Sequence, residues 1–144
     1  MALIDKSQIA NRKSQIKNGK GVTGSIMNET QLKDRTKEFA LRVMKLVSNL
    51  PKTIEGQAIG KQLFRSGTSV GANYRAACRG RSRAEFAAKL GTVEEEADES
   101  AFWMELIIEG GLLKKRLVEP LLKEADELVA IMAASRKSAR KPRP

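Results

Sequence analysis

Apolar and small residues recur along this chain at spacings of three and four, the period of helices rather than the alternation of strands. Leu32, Thr36, Phe39, Val43, Leu46 and Leu50 make a first stripe and predict a helix over about 31–49. Pro51 cannot continue it, and Thr53 can cap the next. The second stripe is Ile59, Leu63, Ser66, Val70, Asn73 and Ala77, with Gly60, Gly67, Gly71 and Cys78 in a line beside it. Each glycine inside a helix costs about 1 kcal/mol against alanine, so this line predicts close approach of a neighbouring backbone. Ser66 and Asn73, if buried, each need a hydrogen-bond partner. Arg79-Gly80-Arg81-Ser82 reads as a tight turn. Gly80 suits a left-handed residue after a helix, and Ser82 with Glu85 fits a capping box for the next. Phe86, Leu90, Val93, Ala97, Ser100, Met104 and Ile107 form the third stripe, widened by Trp103 and Leu106 and stopped by Gly110-Gly111. A fourth carries Val118, Leu121, Leu122, Ala125, Leu128, Val129 and Met132. Proline fits a first helical turn, so Pro120 places the start of this helix near Glu119.

Short connections make successive helices antiparallel. The expected fold is therefore all-α, an antiparallel up-down-up-down four-helix bundle over residues 27–138. Residues 1–26, with five bases, one acid and three glycines among polar residues, read as a disordered basic extension, and Met27 as the natural start. Residues 139–144 read as a basic tail, and the chain is expected to fray from Ser135 onward. At 144 residues the chain is one domain's worth. With 4% aromatic residues the core must be aliphatic, which suits a bundle.

The chemistry-bearing residues exclude more than they suggest. There is no histidine and a single cysteine, Cys78, so zinc fingers, histidine-based triads and disulfide frameworks are all out of reach. The Glu95/Glu99 and Glu94/Asp98 pairs, one turn apart, read as a solvated or salt-bridged face rather than a metal or catalytic site. Arg75 and Arg79 stand close enough to Cys78 to lower its pKa, but nothing supplies a base for a nucleophile. No enzyme, metal or cofactor is expected. The lone cysteine and the lack of a signal-like start indicate the cytoplasm, and no apolar run nears the roughly 20 residues of a membrane span.

Charge gives the one functional lead. The net charge is +10, of which residues 1–26 hold +4. From Gly56 to Ala84 there are six bases (Lys61, Arg65, Arg75, Arg79, Arg81 and Arg83) and no acid. From Leu90 to Leu113 there are seven acids and no base, so an antiparallel hairpin should lay much of one run along the other. The six bases are the candidate nucleic-acid-binding residues, because phosphate contacts are electrostatic and need little more than clustered charge. Tyr74 is the sole aromatic nearby, so base stacking is poorly supported. The rival reading has the arginines consumed by Glu94–Glu109 in a structural or protein-interaction module. Free, outward arginines would favour the first reading and paired ones the second.

Gln62-Leu63-Phe64-Arg65-Ser66-Gly67-Thr68-Ser69-Val70-Gly71-Ala72-Asn73-Tyr74-Arg75-Ala76-Ala77, together with Leu50-Pro51-Lys52, Arg81-Ser82-Arg83-Ala84-Glu85-Phe86 and Glu95-Glu96-Ala97-Asp98-Glu99 with Trp103, carries a family resemblance. Over about 27–138 the chain resembles the bacterial four-helix-bundle proteins encoded in intervening sequences of 23S ribosomal RNA genes. More distantly it is similar to the accessory variability protein of diversity-generating retroelements, a pentameric barrel that binds nucleic acid and a reverse transcriptase. The resemblance implies a bundle and a ring-like homo-oligomer, with a pentamer as the leading number. RNA or DNA and a reverse transcriptase are the implied partners. Many relatives carry glutamate where this chain has Ala76, so contacts of that glutamate do not transfer.

Overall fold

The computed structural model describes residues 27–142, and within them the chain forms four helices: α1 (Glu29–Ser48), α2 (Ile54–Cys78), α3 (Arg83–Glu109) and α4 (Lys115–Arg140). The expected extension over 1–26 and the last two residues of the basic tail lie outside the described residues. Consecutive helices pack on one another and α1 also touches α4, which gives the antiparallel four-helix bundle. None of these helices is long and apolar enough to cross a membrane.

The core is aliphatic, as the composition required. Phe39, Leu63, Leu90, Met104, Ile107, Leu122, Leu128 and Met132 are its largest fully buried side chains. Four polar residues are buried among them: Thr36, Ser66, Ser100 and Asp126. The Thr36 hydroxyl donates back to the Leu32 carbonyl at 2.8 Å. The Ser100 hydroxyl lies 2.9 Å from that of Ser66, joining α2 to α3 through the centre, and Ser66 also reaches the Leu63 carbonyl at 3.3 Å. Asn73, half-buried, donates to the Ser69 carbonyl. Both polar positions of the second stripe thus find partners.

The glycine line faces α1, and what approaches it differs along its length. A Cβ on Gly67 would stand 2.7 Å from both methyls of Val43, one on Gly60 3.1 Å from Leu50, and one on Gly71 3.3 Å from the Thr36 carbonyl oxygen. Backbone comes close only at Gly71. At the other two positions a side chain from α1 or the α1–α2 connection fills the space.

Helix ends follow the local chemistry, with three departures. Asn28 and Gln31 form a full capping box, which starts α1 at Glu29, two residues before the expected start. Ser82 accepts from the Glu85 N–H at 3.0 Å, but the Glu85 carboxylate reaches the Arg81 N–H at 2.8 Å rather than that of Ser82. The box is thus displaced by one residue on its return side. Gly80 is not left-handed; among the described residues only Gly111 has positive φ, at 69°. Gly80 is small for a different reason, since a Cβ there would come within 3.2 Å of the Phe86 N–H nitrogen. Gly111 ends α3, with the Leu112 N–H bonded back to the Ile107 carbonyl.

The larger correction is α4, which begins at Lys115, four residues before Glu119, and keeps Pro120 inside it. Val118 is fully buried, and it continues the stripe of Leu121, Leu122 and Ala125 upstream. Burying Val118 outweighs one missing backbone bond at an exposed proline near a helix start. The far end also differs. Helix continues past Ser135 to Arg140, so the expected fraying does not set in there.

Removing the Ser82 acceptor tests the α2–α3 turn. Ser82→Ala should cost about 0.5–2 kcal/mol in urea unfolding, with the unfolding slope unchanged.

Candidate nucleic-acid interface

α2 turns its small residues inward and its bases outward, because Lys61, Arg65, Arg75 and Arg79 fall on the side opposite Leu63, Val70 and Ala77. Arg81 sits in the turn and Arg83 opens α3. All six sequence candidates are exposed. They do not form one group. Arg65 lies ten residues before Arg75, about 15 Å along the helix, and Lys61 lies further. Arg79, Arg81 and Arg83 cluster at the turn, with Arg75 one helical turn away.

Their pairing divides the same way. Arg65 grips both oxygens of Glu99 at 2.6 Å and reaches Glu96 at 3.3 Å. The Trp103 indole N–H adds a bond to Glu99 at 3.3 Å. The hydrogen bond from Arg65 holds the Glu99 carboxyl below its ordinary pKa. That increment of stability is therefore present above the ordinary carboxylate range and is lost as pH falls through the lowered value. Arg83 donates to the Ser138 carbonyl of α4 at 3.2 Å. Lys61, Arg75, Arg79 and Arg81 form no side-chain ion pair within the described residues.

The expected pairing of the basic run with the acidic run is thus confined to Arg65. Antiparallel register explains it for Arg75, Arg79, Arg81 and Arg83. Ser66 meets Ser100, so the end of α2 lies beside the start of α3, where the acidic run has not begun. The acids find other partners: Glu94 pairs with Arg136 of α4 at 2.8 Å.

Arg75 lines a groove of about 430 Å³ between α1 and α2, together with Lys33 and Lys37. Ala40, Gly71 and Ala72 give it a floor of small residues, and Asp34 is its acid. Sequence reading missed both lysines. They stand some forty residues before Arg75, and their one signal was an i,i+4 spacing on the outer edge of the first stripe.

Cys78 is half-buried at the end of α2. Burial pushes its thiol pKa up, the Tyr74 hydroxyl opposes this, and Glu29 adds to it. Arg75 and Arg79 do not lower it, so this thiol is no activated nucleophile. Tyr74 is buried and its own pKa is raised, chiefly by burial.

The family model described as 23S rRNA-intervening sequence protein matches residues 28–134. Among solved structures, a protein of unknown function from the S23 ribosomal protein family of Bacteroides thetaiotaomicron is 32% identical, with a TM-score of 0.69. That alignment covers 77% of this chain and 99% of the other. No curated protein matches the chain.

Proposed function

The chain belongs to the 23S rRNA-intervening sequence protein family, and from that premise we propose that it is a non-enzymatic, oligomeric accessory protein that binds nucleic acid without sequence preference. The observation that carries this reading is the group of exposed, unconsumed arginines at the end of α2: Arg75, Arg79 and Arg81. Guanidinium groups free of carboxylates are available to phosphates, and phosphate contacts carry no base information. Self-association is supported by exposed apolar side chains, with Leu41, Met44, Phe64 and Phe102 each between 44% and 51% accessible on the single chain.

One observation favours the structural alternative. Arg65 is held by Glu96 and Glu99, so part of the basic run serves to join α2 and α3. The proposed contact surface therefore excludes Arg65 and begins at Arg75.

Salt titration separates the two readings. Arg79→Gln, Arg81→Gln and Arg83→Gln together should weaken RNA or DNA binding alike across sequences. They should flatten the log–log salt slope by about 0.9 per lost phosphate on duplex, or about 0.7 on single strand. An unchanged slope, with unchanged melting, favours the structural module. Sedimentation should show an oligomer at micromolar protein; a monomer throughout removes the oligomeric part of the reading.

A further inference from the structure

Of the C-terminal bases, Lys137 and Arg140 lie on α4 and Lys141 is its C-cap. Helix runs to Arg140, and the antiparallel bundle brings that end beside the α2–α3 turn, where Arg83 donates to the Ser138 carbonyl. Lys137, Arg140 and Lys141 are all exposed there and form no ion pair within the described residues. Arg79, Arg81 and Arg83 stand on the neighbouring turn. Packed helices lie about 8–10 Å apart, so one end of the bundle carries two adjacent basic groups. Glu85 is an acid at this end, and its carboxylate is engaged by the Arg81 backbone N–H. Cations at a helix C-terminus also answer the helix dipole, but that role needs no second cluster across the interface.

We propose that the α2–α3 turn and the last turn of α4 form one surface that binds the phosphate backbones of double-helical nucleic acid, a partner more definite than the nucleic acid of the reading above, on which this rests. What selects a duplex is the absence of a stacking platform. Tyr74 is buried and Phe86 half-buried in this region. The exposed rings are remote: Phe64 lies fourteen residues, about 21 Å, before the end of α2, and Phe102 nineteen residues, about 28 Å, beyond the start of α3. Single-strand binders draw on stacked aromatic side chains. A duplex needs none, and its paired backbones present the denser charge.

The test uses the full chain, so that residues 1–26 contribute equally to every variant. Binding to mixed-sequence RNA duplex, DNA duplex and single strand is followed by fluorescence anisotropy from about 50 to 200 mM salt. K137Q/R140Q/K141Q should flatten the duplex slope by up to about 2.7, at about 0.9 per contact, while K137R/R140K/K141R keeps it. K114Q/K115Q/R116Q removes the same charge from the opposite end and should leave the slope unchanged. The two duplex arms tell an RNA partner from a DNA one. A wild-type slope in K137Q/R140Q/K141Q, with the α2–α3 turn variant still flattened, overturns the composite surface and leaves the reading above standing. Single strand bound more tightly than duplex overturns the choice of partner. No wild-type binding to any probe sinks the underlying reading itself.

Discussion

Gly67→Leu should lower the melting temperature by roughly 10 °C, the equivalent of about 3 kcal/mol at the upper end of overpacking costs. The position leaves no room. A Cβ alone would sit 2.7 Å from both Val43 methyls, and Val43 is fully buried and β-branched, so it has one preferred rotamer in its helix and nowhere to turn. Even Gly67→Ala should destabilise, although alanine gains about 1 kcal/mol of helix propensity over glycine. Val43→Ala should restore space, so the Gly67→Ala/Val43→Ala pair should lose less than the sum of its parts, by about 0.5–3 kcal/mol. Thermal melts of the four proteins in that cycle decide it. Additive losses would mean the two side chains do not compete for one volume.

Arg35→Met should cost about 2 kcal/mol, more than any other single ion-pair deletion in the bundle. Arg35 bonds both oxygens of Glu124, at 2.8 and 2.6 Å, and Glu127 at 2.6 Å, all from α1 across to α4. The Glu124 side chain is only 13% accessible, so removing its cation strands a carboxylate poorly reached by water. The guanidinium pKa is raised, first by its bond to Glu124 and against the effect of its own burial. Urea unfolding reads the loss. Arg35→Met/Glu124→Met should recover part of it, because the less accessible carboxylate is then gone and only Glu127, 35% accessible, is left without its cation. Arg65→Met offers the contrast: its side chain is half exposed, and the loss should be smaller and fade with added salt.

Arg35 also marks the boundary of what the sequence disclosed. Stripes at three and four placed all four helices, since burial of one face decides where helices form. Which outward charges meet was not legible, because that depends on register and on which helices are neighbours. Sequence alone pairs the acidic run with the basic run of the adjacent helix, yet Ser66 opposite Ser100 fixes a register that leaves Arg75, Arg79, Arg81 and Arg83 short of it. Arg35 with Glu124, and Arg136 with Glu94, join helices in pairs that no local pattern announces. The same holds for the candidate site. Arg75, Arg79, Arg81 and Arg83 were visible as a local cluster, whereas Lys33, Lys37 and the α4 bases come to them only through the fold. Pro120 by itself points to a start near Glu119, whereas the burial of Val118 keeps the turn before it helical.

The glycines of α2 also bear on the order in which the bundle comes apart. α1 contains no glycine, while Gly60, Gly67 and Gly71 each sit at an interior position of α2. At about 1 kcal/mol apiece they leave α2 poorly able to persist once separated from its neighbours. α1 in turn rests mainly on α2 and only slightly on α4. A fluctuation that lifts α1 therefore removes the packing that α2 requires, and one that loosens α2 takes away the seat of α1. These two helices should open as a single cooperative unit ahead of α3 and α4, with their backbone amides exchanging hydrogen through a partial unfolding that leaves the other hairpin intact.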